Sequence, residues 1–239
     1  MSRFFASALI AAMPALGCGI SLDWDGSSVA GSGVRTSVSR TVSAFDRVDV
    51  GGEYDVVIRV GASPSVVLEG DDNLLPLIRT EVRGGTLHID SEDDLRSREP
   101  IRIAIGVAAL NGIHSGGSSD VAVRDVRSEA FDASVAGSSE LTANGEFGDL
   151  SASISGSGEI RMNGTADAID GDVSGSGELD LLQVRGARSA TIDVSGSGDA
   201  SLQVSDRLDA SVSGSGDVRY RGQPRVEADV SGSGSVERI

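Results

Sequence analysis

Lysine is missing from this chain of 239 residues: its 20 basic side chains are all arginine, set against 36 carboxylates, and the formal charge is −16. An acidic excess of that size repels phosphate backbones and anionic bilayers, which excludes nucleic acid and a bare membrane surface as electrostatic partners. Aromatic residues make up only 3% of the chain, with Trp24 the single tryptophan. A core must therefore be assembled from Val, Ile, Leu and Ala, which suits thin stacked layers better than packing around large rings. Cys18 is the only cysteine, so neither an internal disulfide nor a thiolate metal cluster can form. The two histidines, His88 and His114, read as unrelated surface residues, since a catalytic or metal pair would need them adjacent with a third partner. No G-x-S-x-G elbow, G-x-G-x-x-G loop or Walker pattern occurs, and the many serines have no evident general base. No catalytic, cofactor-binding or metal-ligating residues are assigned, and no cofactor is expected.

The N-terminus carries one base, Arg3, then an apolar run from Phe4 to Leu16 and small residues leading to Cys18. This is the pattern of a cleaved secretory signal, and it is too short to span a bilayer as a helix. Ala15-Leu16-Gly17-Cys18 resembles a bacterial lipobox, with Ala15 where leucine is usual, and it marks Cys18 as the lipid anchor; the alternative is an ordinary exported protein with an incidental cysteine. Residues 19–43 are rich in Gly and Ser and read as a flexible tether. The division expected is a signal over 1–18, the tether, and one β domain over 44–239.

From Phe45 onward, FDRVDV, EYDVVIRV, SVVLEG, TLHID and IRIAIGV alternate or run apolar between Gly-rich breaks, which is the signature of short strands. One helical turn is expected at Asp72–Leu75, before Pro76. The second half is a repeat. Aligned on the first glycine of each S-G-S-G-like loop, Gly117, Gly137, Gly156, Gly175, Gly196, Gly214 and Gly232 follow one another at steps of 18–21 residues. Two residues before them stand Val135, Ile154, Val173, Val194, Val212 and Val230, and four residues after them an aliphatic column from Val121 to Val236. Each copy thus holds two strands with one apolar face, and no copy can bury that face alone. The fold class predicted is all-β, a right-handed single-stranded parallel β-helix with about 18–21 residues per coil. Glycine would supply the positive φ at each corner, and the serine after it, from Ser118 to Ser233, would form a hydrogen-bonded ladder. Phe45 to about Leu75 is the candidate N-terminal cap, and the far end is expected to meet a partner or a second copy.

The repeated VSGSG[DE] loops, FDRVDVGGEYDVVIRVG and EGDDNLLPLIRTEVRGGTLHI together resemble the bacterial "putative auto-transporter adhesin, head GIN domain" family, over about residues 44–239. The resemblance implies an exported β-helical domain, often anchored in the cell envelope, and it brings no catalytic residues. Three residues after the first six aligned glycines stands an acid, Asp120, Glu140, Glu159, Glu178, Asp199 and Asp217, and after the seventh stands Ser235. In line at about 4.8 Å, each neighbouring pair repels by roughly 0.9 kcal/mol in high dielectric, which would suit Ca²⁺ or simply keep the face soluble. The reading reached is a non-catalytic structural or binding module of the cell envelope, an outer-membrane lipoprotein or a periplasmic or cell-surface protein. The membrane would be met only through the lipid anchor, and the partner would be an unknown surface ligand or another copy in a homo-oligomer. The alternatives are a carbohydrate-active β-helix enzyme of the polysaccharide lyase or hydrolase type, using residues such as Asp180, Asp193 or Arg219, and a calcium-stabilised scaffold.

Overall fold

A computed structural model of the protein describes residues 28–239; the expected signal, Cys18 and Trp24 lie outside the described residues. The strands are β1 (Ser28–Ala30), β2 (Arg35–Arg40), β3 (Arg47–Gly52), β4 (Tyr54–Val60), β5 (Ser65–Asp71), β6 (Ile78–Arg83), β7 (Thr86–Ser91), β8 (Asp94–Arg96), β9 (Ile101–Val107) and β10 (Gly112–Gly117). There follow β11 (Asp120–Gly137), β12 (Glu140–Gly156), β13 (Glu159–Thr165), β14 (Ala168–Gly175), β15 (Glu178–Arg185), β16 (Ser189–Gly196), β17 (Asp199–Gln203), β18 (Arg207–Gly214), β19 (Asp217–Arg221), β20 (Arg225–Gly232) and β21 (Ser235–Arg238). The helical turn is a single 3-10 turn at Leu75–Leu77, with Pro76 inside it.

The predicted parallel β-helix is present, and its alternation is what builds it. One sheet, called A below, stacks β7, β3, β10, the C-terminal half of β11, the C-terminal half of β12, β14, β16, β18 and β20 in that order, every neighbour parallel. The other, sheet B, stacks β9, β4, the N-terminal parts of β11 and β12, β13, β15, β17, β19 and β21, also parallel throughout. Val173, Val194 and Val212 lie directly over one another and are buried. Inward residues from both sheets form one aliphatic core, in which Phe131 and Phe147 make a tilted aromatic pair, ring centroids 5.3 Å apart and planes at 40°.

The corners explain the S-G-S-G loops. Gly117, Gly137, Gly156, Gly175, Gly196, Gly214 and Gly232 all have φ between +93° and +131°, a conformation open to glycine and strained for other residues. A side chain there would also strike the coil below, for a Cβ added at Gly156 would lie 2.6 Å from the Gly137 carbonyl oxygen. The following serine does form a ladder, but through its backbone: Ser138, Ser157, Ser176 and Ser197 each donate their N–H to the glycine carbonyl one coil down at 2.8–2.9 Å. Their hydroxyls are exposed. At the next position the early coils bury Ser119 and Ser139, whose hydroxyls accept the Tyr54 and Ser119 N–H groups at 3.1 Å; the later coils close over Gly158 and Gly177 instead.

Three readings are corrected. First, the ladder begins one rung earlier than the repeat suggests: Gly52 pairs with Gly117, and β3–β4 are a full rung of the helix, so only the later part of the Phe45–Leu75 segment caps it. After β4 the chain turns downward. β5 runs antiparallel to β9, β6 antiparallel to β7, and β7 and β9 become the lowest rung before β10 resumes above β3. Second, the stretch expected to be a tether up to residue 43 is paired from Ser28 onward in part, because β2 adds to the cap antiparallel to β5 and β1 pairs with β8. Arg40 locks this cap by donating to the Leu75 and Ile78 carbonyls at 2.7 and 2.6 Å. Third, the uneven steps of the repeat are bulges. Register slips between Val123 and Val126, where Asp125 takes φ +64° and its N–H bonds Asn144 Oδ1 at 3.0 Å. It slips again opposite Arg161 and Asn163.

Candidate binding face

The helix presents two outward surfaces, and their charges are organised differently. On sheet B the acids expected in a line are in register, Asp120 beneath Glu140, Glu159, Glu178 and Asp199 in turn. Asp55 lies beneath Asp120 as a further member, one that the repeat alignment could not include. This line is not bare. Arg161 pairs with Glu159 and lies 3.6 Å from both Glu140 and Asp180. Arg219 stands 3.3 Å from Asp199 and 2.9 Å from Asp217, and Arg102 is 4.0 Å from Asp55. The Asp217 carboxyl is held below the usual carboxylate range chiefly by the hydroxyl hydrogen bond from Ser235, helped by its N–H and by Arg219.

Sheet A is different. From Ser151 to Ser231 its outward positions on five successive rungs are Ser151, Ser153 and Ser155; Asp170, Asp172 and Ser174; Thr191, Asp193 and Ser195; Asp209, Ser211 and Ser213; Glu227, Asp229 and Ser231. At these three positions of each rung every side chain is a carboxylate or a hydroxyl and lies at the surface; one outward position further from the glycine stand Asp149, Ala168, Ser189, Arg207 and Arg225, so the last two rungs also carry an arginine each. Arg207, at the corner, reaches Asp209 at 2.7 Å and Glu227 at 3.6 Å. Among the described residues Asp149, Asp170, Asp172, Asp193 and Asp229 have no cationic partner within 4.0 Å; Asp172 accepts from the Ser174 hydroxyl at 3.2 Å.

The two histidines are brought together by the downward excursion of the chain. β7, β3 and β10 place His88, Asp49 and His114 on consecutive rungs of sheet A, with His88 Nδ1 3.0 Å from Asp49 Oδ2. They lie two rungs apart with Asp49 between them, placed there by β-pairings across 39 and 65 residues of sequence that a linear reading lacks. Among the described residues no three His, Cys, Asp or Glu side chains are placed to hold one metal ion. The residues considered for sugar chemistry do not converge: Asp180 and Arg219 sit in separate arginine networks on sheet B, and Asp193 is on sheet A. Tyr54 is buried in the core, its hydroxyl pushed up to about 12 by burial and by Asp90, and Tyr220 is half-buried at the end of an inward column.

Solved structures with the same fold include a protein described as a putative adhesin from Bacteroides fragilis (TM-score 0.80, 21% identity, covering 88% of this chain and 100% of that one). A protein described as a putative lipid-binding protein from Parabacteroides distasonis gives a TM-score of 0.73 at 25% identity, covering 89% of this chain and 99% of its own. A putative adhesin from Parabacteroides merdae gives 0.71 at 21% identity, with 89% and 99% covered. No curated protein sequence matches significantly. With the family model matching residues 44–224, the chain belongs to the "putative auto-transporter adhesin, head GIN domain" family.

Proposed function

We propose that the protein is an exported, non-enzymatic, adhesin-like module of the cell envelope, anchored by lipid on Cys18 and displaying a stiff rod whose outer surface binds a partner. The observation that carries this reading is the unbroken glycine register from Gly52 to Gly232. It holds every outward side chain on a fixed lattice, so binding groups are preorganised without a cleft. Family membership and the relatives described as putative adhesins support it. Self-association at the free edge of β20, where Val226 and Val230 are 37% and 42% exposed, belongs to the same proposal, since an unpaired strand edge with apolar ends is a template for another strand.

Cells displaying the native chain should incorporate a palmitate analogue into it and bind immobilised envelope or matrix proteins. Cys18→Ala cells should do neither while still exporting the chain. Labelling of Cys18→Ala, or equal adhesion by cells lacking the chain, would overturn the reading.

A further inference from the structure

Three adjoining depressions run along the outer surface of sheet A. The first, about 450 Å³, is lined by Thr86, His88, His114 and Ser134 among others; it shares Arg47 and Asp132 with the second, about 470 Å³. The second shares Thr191 with a third, about 320 Å³, that reaches Glu227 and Asp229. Together they form one trough parallel to the helix axis, crossing all nine rungs of the sheet from β7 to β20. Eight steps of about 4.8 Å make it roughly 38 Å long.

The trough crosses the strands, so the backbone groups of its floor below β20 are engaged between rungs. A ligand there meets mainly side chains, and the polar ones are mostly carboxylates and hydroxyls, with His88, His114, Asn111, Arg47 and Arg207 beside them. Its cations, Arg47 and Arg207, are each taken up by acids of the trough itself, Arg47 by Asp132 at 3.8 Å and Arg207 by Asp209 and Glu227. Asp149, Asp170, Asp193 and Asp229 are left over, and Asp172 stands outside the lining on β14, two residues from Asp170. Sheet B, by contrast, shares Arg161 and Arg219 among its acids. Asp120 and Glu178 of sheet B also have no cation within 4.0 Å among the described residues, but on sheet A more such acids gather around one depression.

We infer that this trough is the docking face for an extended, arginine- or lysine-rich polypeptide segment, an inference that rests on the binding-module reading and names its partner. Guanidinium and ammonium groups complement unpaired carboxylates and donate to hydroxyls. A phosphate polymer is repelled. A sugar chain lacks a platform, because no tyrosine or tryptophan lines the trough and aromatic rings supply most of the apolar contact that sugar faces use. An extended chain rising about 3.3 Å per residue fills the trough with about twelve residues.

The test is fluorescence anisotropy with the purified full chain and a labelled dodecapeptide of alternating Ser and Arg, with a Ser–Glu dodecapeptide and a glucosamine oligomer as comparisons. The Ser–Arg peptide binds and the Ser–Glu peptide does not. The triple variant Asp170→Asn, Asp172→Asn, Asp193→Asn, with an unchanged circular dichroism spectrum, weakens binding by at least about tenfold. The sheet B triple variant Asp120→Asn, Glu140→Gln, Glu178→Gln changes it by less than about twofold. Equal weakening by both variants, undiminished binding by the first, or binding of the glucosamine oligomer in preference to the peptide overturns the inference. Cell adhesion separates this from the functional reading: adhesion that survives the sheet A variant sinks the trough alone, whereas peptide binding by a chain that confers no adhesion sinks the adhesin reading alone.

Discussion

Replacing one corner glycine tests the stacking directly. Gly156 has φ +123°, and an added Cβ would lie 2.6 Å from the Gly137 carbonyl oxygen and 3.1 Å from its nitrogen. Carbon approaches such an oxygen no closer than about 3.3 Å, so the coil below must give way by about 0.7 Å. That oxygen also accepts the Ser157 N–H at 2.9 Å, and moving it weakens the ladder. Backbone strain contributes about 1–3 kcal/mol and the overlap about 1–3 kcal/mol more, so Gly156→Ala should destabilise by around 4 kcal/mol. In a chain of this size that lowers the melting temperature by about 8–16 °C. Gly84 is the control, since it has φ +57° and nothing within 4 Å of an added Cβ. Gly84→Ala should lose only about 1–2 kcal/mol, the intrinsic cost of the left-handed region. Both variants are followed by thermal and urea unfolding with circular dichroism. Equal losses would mean that the corners are not in contact and that the stack is looser than described.

Further outcomes follow from individual side chains. Ser115 occupies an inward column between Val50 and Val135, fully buried and with its hydroxyl unpartnered, so Ser115→Ala should stabilise the protein by about 1–2 kcal/mol in urea unfolding, and a loss would refute the assignment. Val173 is fully buried while Val230 is 42% exposed in the last coil; Val173→Ala should cost about 2–3 kcal/mol and Val230→Ala under about 1 kcal/mol, and equal costs would show that the end coil is covered. The Tyr54 hydroxyl, raised to about 12, keeps its proton when the unfolded chain has lost it. Its contribution is therefore intact below about pH 10 and is lost as pH rises to about 12, by about 2–3 kcal/mol in all. Tyr54→Phe should flatten that decline, measured by denaturation at each pH. Because Arg161 and Arg219 share the sheet B acids, a chelator should leave the melting temperature unchanged; a drop of several degrees would restore the calcium-stabilised alternative.

The strands and their buried columns were legible because the period of two and the step of 18–21 residues are written without interruption from Gly117 onward. The rung containing Gly52 was not, because the chain inserts the whole cap and the lowest rung before Gly117 arrives 65 positions later. The same insertion hid the His88–Asp49–His114 column. On the binding face the acid line of sheet B drew attention because its spacing from the aligned glycine is constant. Whether a charge is compensated depends on neighbours one coil away, however, and Arg161 and Arg219 stand in a column otherwise filled by Ala122, Thr142, Asp180, Ser201 and Glu237, which no repeat alignment marks as basic. The uncompensated acids of sheet A alternate with serine from coil to coil, so no single column announces them.

The downward excursion after β4 also sets an order of assembly. The residues that close the bottom of the stack all precede Gly117, so a chain emerging N-terminus first completes its foundation before any later coil appears. Each later coil then needs only the one beneath it as a template. Growth of this kind closes loops of about twenty residues rather than long-range ones, which keeps the entropic barrier of each addition small. A polypeptide threaded through a translocation pore could thus harden behind its leading end, coil by coil, with no energy source beyond its own pairing.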